Sequence, residues 1–205
     1  MAGFARCYQC DLAASELGGL LADAVAPVGY AVRGEALATD LRQYKSERAS
    51  PAAAAAAASR LREMLAGFLD RHGAALCTAA GMTAGPTAVA MVPSGQGRLG
   101  THPLAGLVRA CVDLPFVRLA VDTTELHDRG VNPRWVRVCD PVAGADVLVI
   151  EDTWVSGGSA QSAACALKLA GARRVAIVVL GRHLNPANPA VARFLAGLGG
   201  QATLG

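Results

Sequence analysis

Apolar and polar positions fall into two regimes along the chain. In the first, Leu12 to Val25 is largely apolar and predicts a helix over 13–25. Val28-Gly29-Tyr30-Ala31-Val32 reads as extended. Leu37, Leu41 and Tyr44 then recur at helical spacing and predict a short helix. Ser50-Pro51 is a strong helix start, with Ser at the cap and Pro in the first turn. That helix is expected to run to about Arg71 and to close at His72-Gly73. Its apolar face carries Leu61, Leu65, Phe68 and Leu69.

In the second regime short apolar strands alternate with helices. Gly73 to Gly97 holds no charged residue but is broken by Gly81, Gly85, Pro86 and Pro93. A membrane span would be less interrupted and richer in large aliphatics, so two buried strands with a turn near Gly85-Pro86 are expected, the second over Thr87–Val92. A glycine-rich loop, Pro93–Gly100, leads to a helix over His102–Val112 and a strand over Val117–Val121. Asp122 to Arg134 is polar and reads as a loop, and Trp135–Cys139 as a short strand. Strands over Asp146–Ile150 and Arg174–Leu180 flank a helix over Ser159–Ala170 that Gly171 stops. A last helix is expected over Pro189–Leu198. Strands apolar on both faces and separated by helices indicate a mostly parallel sheet covered on both sides. Ligands in such folds bind at the carboxyl ends of the strands, here the loops after Val92 and Ile150. Two regions are expected, a helical segment over 1–72 and an α/β core over 73–205.

Composition narrows the classes. The 205 residues are 53% hydrophobic and 17% charged, which suits a globular chain. The net charge is +3 and the arginines are scattered, so bulk charge does not point to nucleic acid. Six cysteines in this length suit neither a disulfide scaffold nor a secreted protein. Met1 to Cys10 lacks a basic region followed by an apolar core, so a cytoplasmic protein is the default expectation.

The segment Val147 to Ser159 carries the candidate chemistry. A buried strand delivers Glu151 and Asp152 to its carboxyl end. Thr153, Trp154 and Val155 come next, then the turn Ser156-Gly157-Gly158-Ser159 opens a helix. Small residues let backbone N–H groups close around an anion, and the helix N-terminus favours it. Ser156 and Ser159 add hydroxyls. Two acids beside a phosphate cradle make sense as acceptors for ribose hydroxyls, so the whole reads as a sugar-phosphate receptor.

This segment resembles the phosphoribosyl pyrophosphate (PRPP) motif of type I phosphoribosyltransferases: four apolar residues, two acids, two mostly apolar residues and a hydroxyl- and glycine-rich loop. Thr153 and Val155 depart from it, and Val155 removes one side-chain donor. Gly29-Tyr30 with Leu41 and Lys45, Val92-Pro93 with Arg98, and Arg129-Gly130-Val131-Asn132 resemble, in the same order, stretches of the ComF-like (competence protein F-like) branch. Proteins of that branch often begin with a four-cysteine zinc ribbon, whereas this chain has only Cys7 and Cys10 there, with the next cysteine at Cys77.

The resemblance implies a type I phosphoribosyltransferase-like, mostly parallel sheet flanked by helices, with a small N-terminal hood. It implies transfer of the 5-phosphoribosyl group from PRPP to a nitrogen nucleophile, with release of pyrophosphate. Glu151, Asp152 and Arg129 are the implied catalytic residues, and Glu151 and Asp152 would bind the ribose. Thr153, Val155, Ser156, Gly157, Gly158 and Ser159 would line the ribose and 5-phosphate site. Pro93, Ser94, Gly95 and Arg98 would form the pyrophosphate loop. Mg2+ would be held mainly through PRPP, near Glu151 and Asp152. Residues 122–134 would cover the site, with Arg129 or Arg134 near the leaving group. PRPP, an unidentified small-molecule acceptor and a second copy in a homodimer are the implied partners, without membrane or nucleic acid. The alternative is a non-catalytic PRPP- or nucleotide-binding regulator, or a ComF-like DNA-uptake accessory.

Other residues carry less. Cys7 and Cys10 make half of a zinc site at most, because a closed site needs four ligands. Cys77, Cys111, Cys139 and Cys165 are expected to be buried thiols. His102 either touches pyrophosphate or has a capping or surface role, and His127 and His183 have no assigned role. Lys45 either reaches substrate or is a solvated helical lysine. Trp154 stacks on a ligand, marks a dimer contact or packs beneath its loop.

Overall fold

A computed structural model describes residues 14–15, 17–94, 102–125 and 130–199. Seven strands occur among them: β1 (Ala24–Val32), β2 (Ala88–Met91), β3 (Phe116–Val117), β4 (Leu119–Val121), β5 (Val136–Val138), β6 (Asp146–Trp154) and β7 (Arg174–Leu184). The helices are α1 (Ala36–Gln43), α2 (Pro51–Ala80), α3 (Leu104–Cys111), α4 (Gly158–Leu169) and α5 (Pro189–Gly199). Five strands form one sheet in the order β1-β7-β6-β2-β3, every neighbouring pair parallel. The antiparallel pair β4–β5 stands apart from it. The fold is therefore a mostly parallel sheet flanked by helices.

The alternation of side chains along the strands builds two cores. Leu148 and Ile150 of β6, with Ala176, Val178 and Leu180 of β7, pack against Leu41, Leu61, Leu65 and Val108 from α1, α2 and α3. Val147, Val149, Val175, Ile177 and Val179 face the other way, against Ala160, Ala164 and Leu167 of α4. Both faces of the central strands are buried, which is why β6 and β7 read as unbroken apolar runs.

Several expected elements differ, and β6 and β7 each run four residues past their expected ends at Ile150 and Leu180. The chain over 13–25 is not one helix: a 3-10 turn occupies Gly18–Leu20 and β1 begins at Ala24. Gly18, with φ of +49°, breaks the helical run, and pairing with β7 recruits the residues from Ala24 onward into the sheet. The helix from Pro51 runs on to Ala80, and the stretch 73–97 contributes one strand rather than two. Its residues 74–80 are mostly small and unbranched and propagate a helix well, so Gly73 does not stop it. Gly81, left-handed at φ of +73°, does. Residues 72 and 73, the expected boundary between two regions, thus lie inside a continuous helix, and β1 from the N-terminal region sits in the main sheet. The strand expected over Val117–Val121 is split at Arg118. Its N–H and guanidinium bind the Asp140 carboxylate, at 2.7 Å for the N–H, and the chain turns out of the sheet there. Of the four cysteines expected to be buried, Cys165 is, Cys139 is exposed, and Cys77 and Cys111 are intermediate.

Two glycines let α1 lie close on the sheet. Gly29 of β1 and Gly181 of β7 are register partners. A Cβ on Gly29 would stand 2.8 Å from Leu37 Cδ2, and one on Gly181 would overlap Leu41 Cδ1. Their bare backbone makes the shallow seat into which α1 presses Leu37 and Leu41.

Candidate active site

β6 sets the geometry. Asp152 continues the Leu148–Ile150 series and therefore emerges on the α1 side. Its Oδ2 accepts hydrogen bonds from the Tyr44 hydroxyl and, at 2.7 Å, from Lys45 Nζ. Tyr44 is the C-cap of α1 and Lys45 comes next in the chain, so one carboxylate anchors the end of α1 to the sheet. Burial opposes the Asp152 charge. The Lys45 charge and hydrogen bonds from Lys45, Tyr44 and Thr153 outweigh it and hold the carboxyl below the ordinary aspartate range.

Glu151 belongs to the Val147–Val149 series and pairs across to Val179. Loss of water around its carboxyl and the neighbouring Asp152 charge push it up to about 8, against the opposing pull of Lys45. At neutral pH Glu151 is therefore mostly protonated. Asp152 and Lys45 cancel, and this end of β6 presents little net negative charge. The two adjacent acids therefore add little negative charge beside the turn into α4.

The turn into α4 comes after β6. Val155 is 68% exposed at its tip. Gly157 is left-handed, with φ of +84°, and caps α4. A Cβ there would overlap the Trp154 ring. Two independent constraints thus demand glycine. Trp154 is buried beneath the loop, which decides among its three expected roles in favour of packing. The Ser156 Oγ accepts from the Gly158 N–H at 3.3 Å. The Gln161 N–H closes the first turn of α4 on the Gly157 carbonyl at 2.9 Å.

Two further segments converge here. β2 runs beside β6, with Met91 opposite Ile150, and the Val92 N–H donates to the Ile150 carbonyl at 3.2 Å. Pro93 and Ser94 therefore leave the sheet next to Glu151. The β4–β5 arm is rooted on α4. Trp135 packs on Ala163 and Ala166, and the Asn132 N–H donates to Ser162 Oγ at 2.8 Å. Ser162 in turn donates to the Gly158 carbonyl at 2.7 Å, so the arm is tied to the turn that begins at Gly157.

Of the expected site residues, the structure brings Pro93, Ser94 and Glu151 to Ser159 to the carboxyl ends of β2 and β6. Gly95, Arg98 and Arg129 lie outside the described residues, as do Cys7, Cys10 and His127. Arg134 is exposed, in the 3-10 turn Pro133–Trp135. His102 Nδ1 accepts from the Leu104 N–H at 3.2 Å, at the start of α3. Lys45 is not a free solvated lysine but the partner of Asp152.

Sequence reasoning missed Tyr44 as a partner of Asp152, and it missed a cavity of about 470 Å3 beside it. The cavity lies between α1, the turn after β1 and the ends of β6 and β7, and Arg33, Arg42, Lys45, Thr153 and His183 are among its lining. Helical spacing placed Tyr44 only on a short helix, and no pattern in the sequence says that α1 folds over the end of β6.

No protein-family model matches the chain, and no curated protein matches it. The chain shows similarity to solved structures that include an orotate phosphoribosyltransferase from Mycobacterium tuberculosis in complex with PRPP. The two share 18% identity over 77% of this chain and 81% of that one, with a TM-score of 0.41. A phosphoribosyltransferase from Corynebacterium diphtheriae shares 23% identity over 77% and 78%, with a TM-score of 0.35. A PRPP synthetase from Mycobacterium smegmatis shares 19% identity over 64% of this chain, with a TM-score of 0.39, and this chain spans 36% of its length.

Proposed function

We propose that the protein is a phosphoribosyltransferase that moves the 5-phosphoribosyl group of PRPP to a nitrogen nucleophile. One observation carries this reading. A buried parallel strand carries two acids whose charge is largely neutralised near its carboxyl end, and a left-handed glycine then opens a helix beside the segment that leaves β2. The ribose hydroxyls would meet Glu151 and Asp152, the 5-phosphate the 155–159 loop, and the pyrophosphate Pro93 and Ser94. The order of the motifs in the sequence supports the same reading, and their likeness to the ComF-like branch is its finer form.

In the reaction the acceptor nitrogen forms a bond to the anomeric carbon of ribose. The bond from that carbon to the pyrophosphate oxygen breaks, and its electron pair leaves with pyrophosphate. The nitrogen sheds its extra proton to solvent. The transition state is oxocarbenium-like, so the protein has to hold the sugar, accept charge on the leaving group and exclude water. Residues 122–134, between β4 and the 3-10 turn that packs on α4, would be the segment to cover the site. Among the described residues no three of His, Cys, Asp and Glu gather as they would around a resident metal ion. Mg2+ would enter with the pyrophosphate of the donor and supply charge neutralisation there. Asp152 is held by Lys45 and Tyr44, so Glu151 is the acid that would reach the ion, and it would do so only after giving up its proton.

That hold on Asp152 also favours a second reading, a protein that binds PRPP or a nucleotide without turnover. Release of pyrophosphate from Mg2+-PRPP, monitored across a panel of nitrogen bases and amines, separates the two. Acceptor-dependent release supports the transferase. Saturable PRPP binding with no release by any acceptor supports the regulator.

A further inference from the structure

The cavity beside Asp152 is lined by basic side chains from three separate segments. Arg33 comes from the turn after β1, Arg42 and Lys45 from α1 and the turn after it, and His183 from the end of β7. Thr39 and Ser46 add hydroxyls. Among the described residues no aspartate or glutamate lines it. The Lys45 charge is answered by Asp152, whereas Arg33 and Arg42 form no ion pair among the described residues. A concave site of about 470 Å3 holds a small molecule. Two unanswered guanidiniums over an apolar floor of Ala31 and Leu41 make it a receptor for an anionic group, because a guanidinium fork matches the oxygens of a carboxylate or phosphate.

Its position says which molecule. Lys45 belongs both to the cavity and to the Asp152 anchor, and Thr153 lines the cavity two residues before the phosphate loop begins. The cavity thus opens beside the expected ribose site yet on the α1 side, away from α4. We infer that it receives the acceptor, and that the acceptor is a small nitrogen compound bearing a carboxylate or a phosphate. This rests on the transferase reading for the word acceptor, but the anion-binding claim stands on the cavity alone.

The test uses the full chain, with nicotinate, nicotinamide and inorganic phosphate as calorimetric probes. Nicotinate and nicotinamide share a ring and differ in charge. The expected result is that nicotinate or phosphate binds and that nicotinamide does not. The Arg33→Gln/Arg42→Gln double variant should weaken the anion at least about tenfold, since each lost charge-assisted contact contributes on that scale. Both arginines are exposed, so the variant keeps the fold. Its PRPP affinity should stay within about threefold of the wild type, within the usual reach of surface charge changes. Tighter binding of nicotinate selects a carboxylated acceptor, and tighter binding of phosphate a phosphorylated one. The inference is overturned if neither anion binds, if nicotinamide binds equally well, or if the double variant leaves anion affinity intact. Loss of PRPP binding in that variant also overturns it, because the arginines would then serve the donor. Failure of the wild type to bind PRPP, with the anion result standing, would instead sink the transferase reading.

Discussion

At the scale of single residues, the adjacent acids Glu151 and Asp152 do opposite things. Asp152 is held charged by Lys45 and Tyr44, and Glu151 is held neutral by burial and by Asp152. Their contributions to stability therefore run in opposite directions with pH. The folded pKa of Asp152 lies below its ordinary value. Its contribution is present above that value and is lost as pH falls through the folded one, in the acid range. The folded pKa of Glu151 is raised from 4.5 to about 8, so the folded state holds a proton there that the unfolded chain has released. Stability falls as pH rises between those values. Glu151→Gln should abolish that fall, which amounts to about a few kcal/mol. Urea unfolding of both proteins at pH 5 and pH 8 measures it, and parallel losses in the two would contradict the assignment. Asp152→Asn should lower stability by roughly 1–3 kcal/mol at neutral pH, the cost of leaving Lys45 and Tyr44 with a poorer acceptor. A change within about 0.5 kcal/mol in the same titration would mean that the anchor contributes little.

At the scale of elements, the strand–turn–helix unit over 146–169 was legible from the sequence. Its apolar run, acid pair and glycines all act locally. What escaped was decided by partners distant in the chain. The seat for α1 depends on Gly29 and Gly181 standing opposite each other, and neither carries a signal of that pairing. Replacing Gly181 by valine should lift α1 from the sheet, because the new side chain would occupy the place of Leu41. The expected outcome is loss of about 2 kcal/mol or more, typical of overpacking, with Lys45 becoming more reactive toward amine-labelling reagents. Undiminished protection of Lys45 would show that α1 is held by other contacts. Gly157→Ala belongs to the same scale. The left-handed backbone and the Trp154 ring both reject a Cβ, so the variant should lose about 1–3 kcal/mol. A thermal melt within about 2 °C of the wild type would contradict that. For this reason a bulky residue at 157 is a poor probe of phosphate binding, whereas exposed Val155 is a good one.

At the scale of the whole molecule, three segments meet over the carboxyl ends of β2 and β6. The loop after β2 and the turn into α4 flank Glu151, and the β4–β5 arm is fastened to α4 through Asn132, Ser162 and Trp135. On the opposite side α1 closes against Asp152 and leaves the cationic cavity. The sheet order that makes this possible, with β6 in the centre and β1 at an edge, came from no sequence pattern, since β1 joins β7 across some 150 residues of chain. The most direct measurement is calorimetric titration of Mg2+-PRPP into the wild type and into Val155→Asp. The substitution adds a negative charge at the tip of the turn and disturbs no buried contact. The expected result is saturable one-to-one binding to the wild type, weakened at least about thirtyfold in the variant, roughly 2 kcal/mol of added repulsion. Absence of wild-type binding at millimolar PRPP, or equal binding by both proteins, would contradict the donor site placed at this turn.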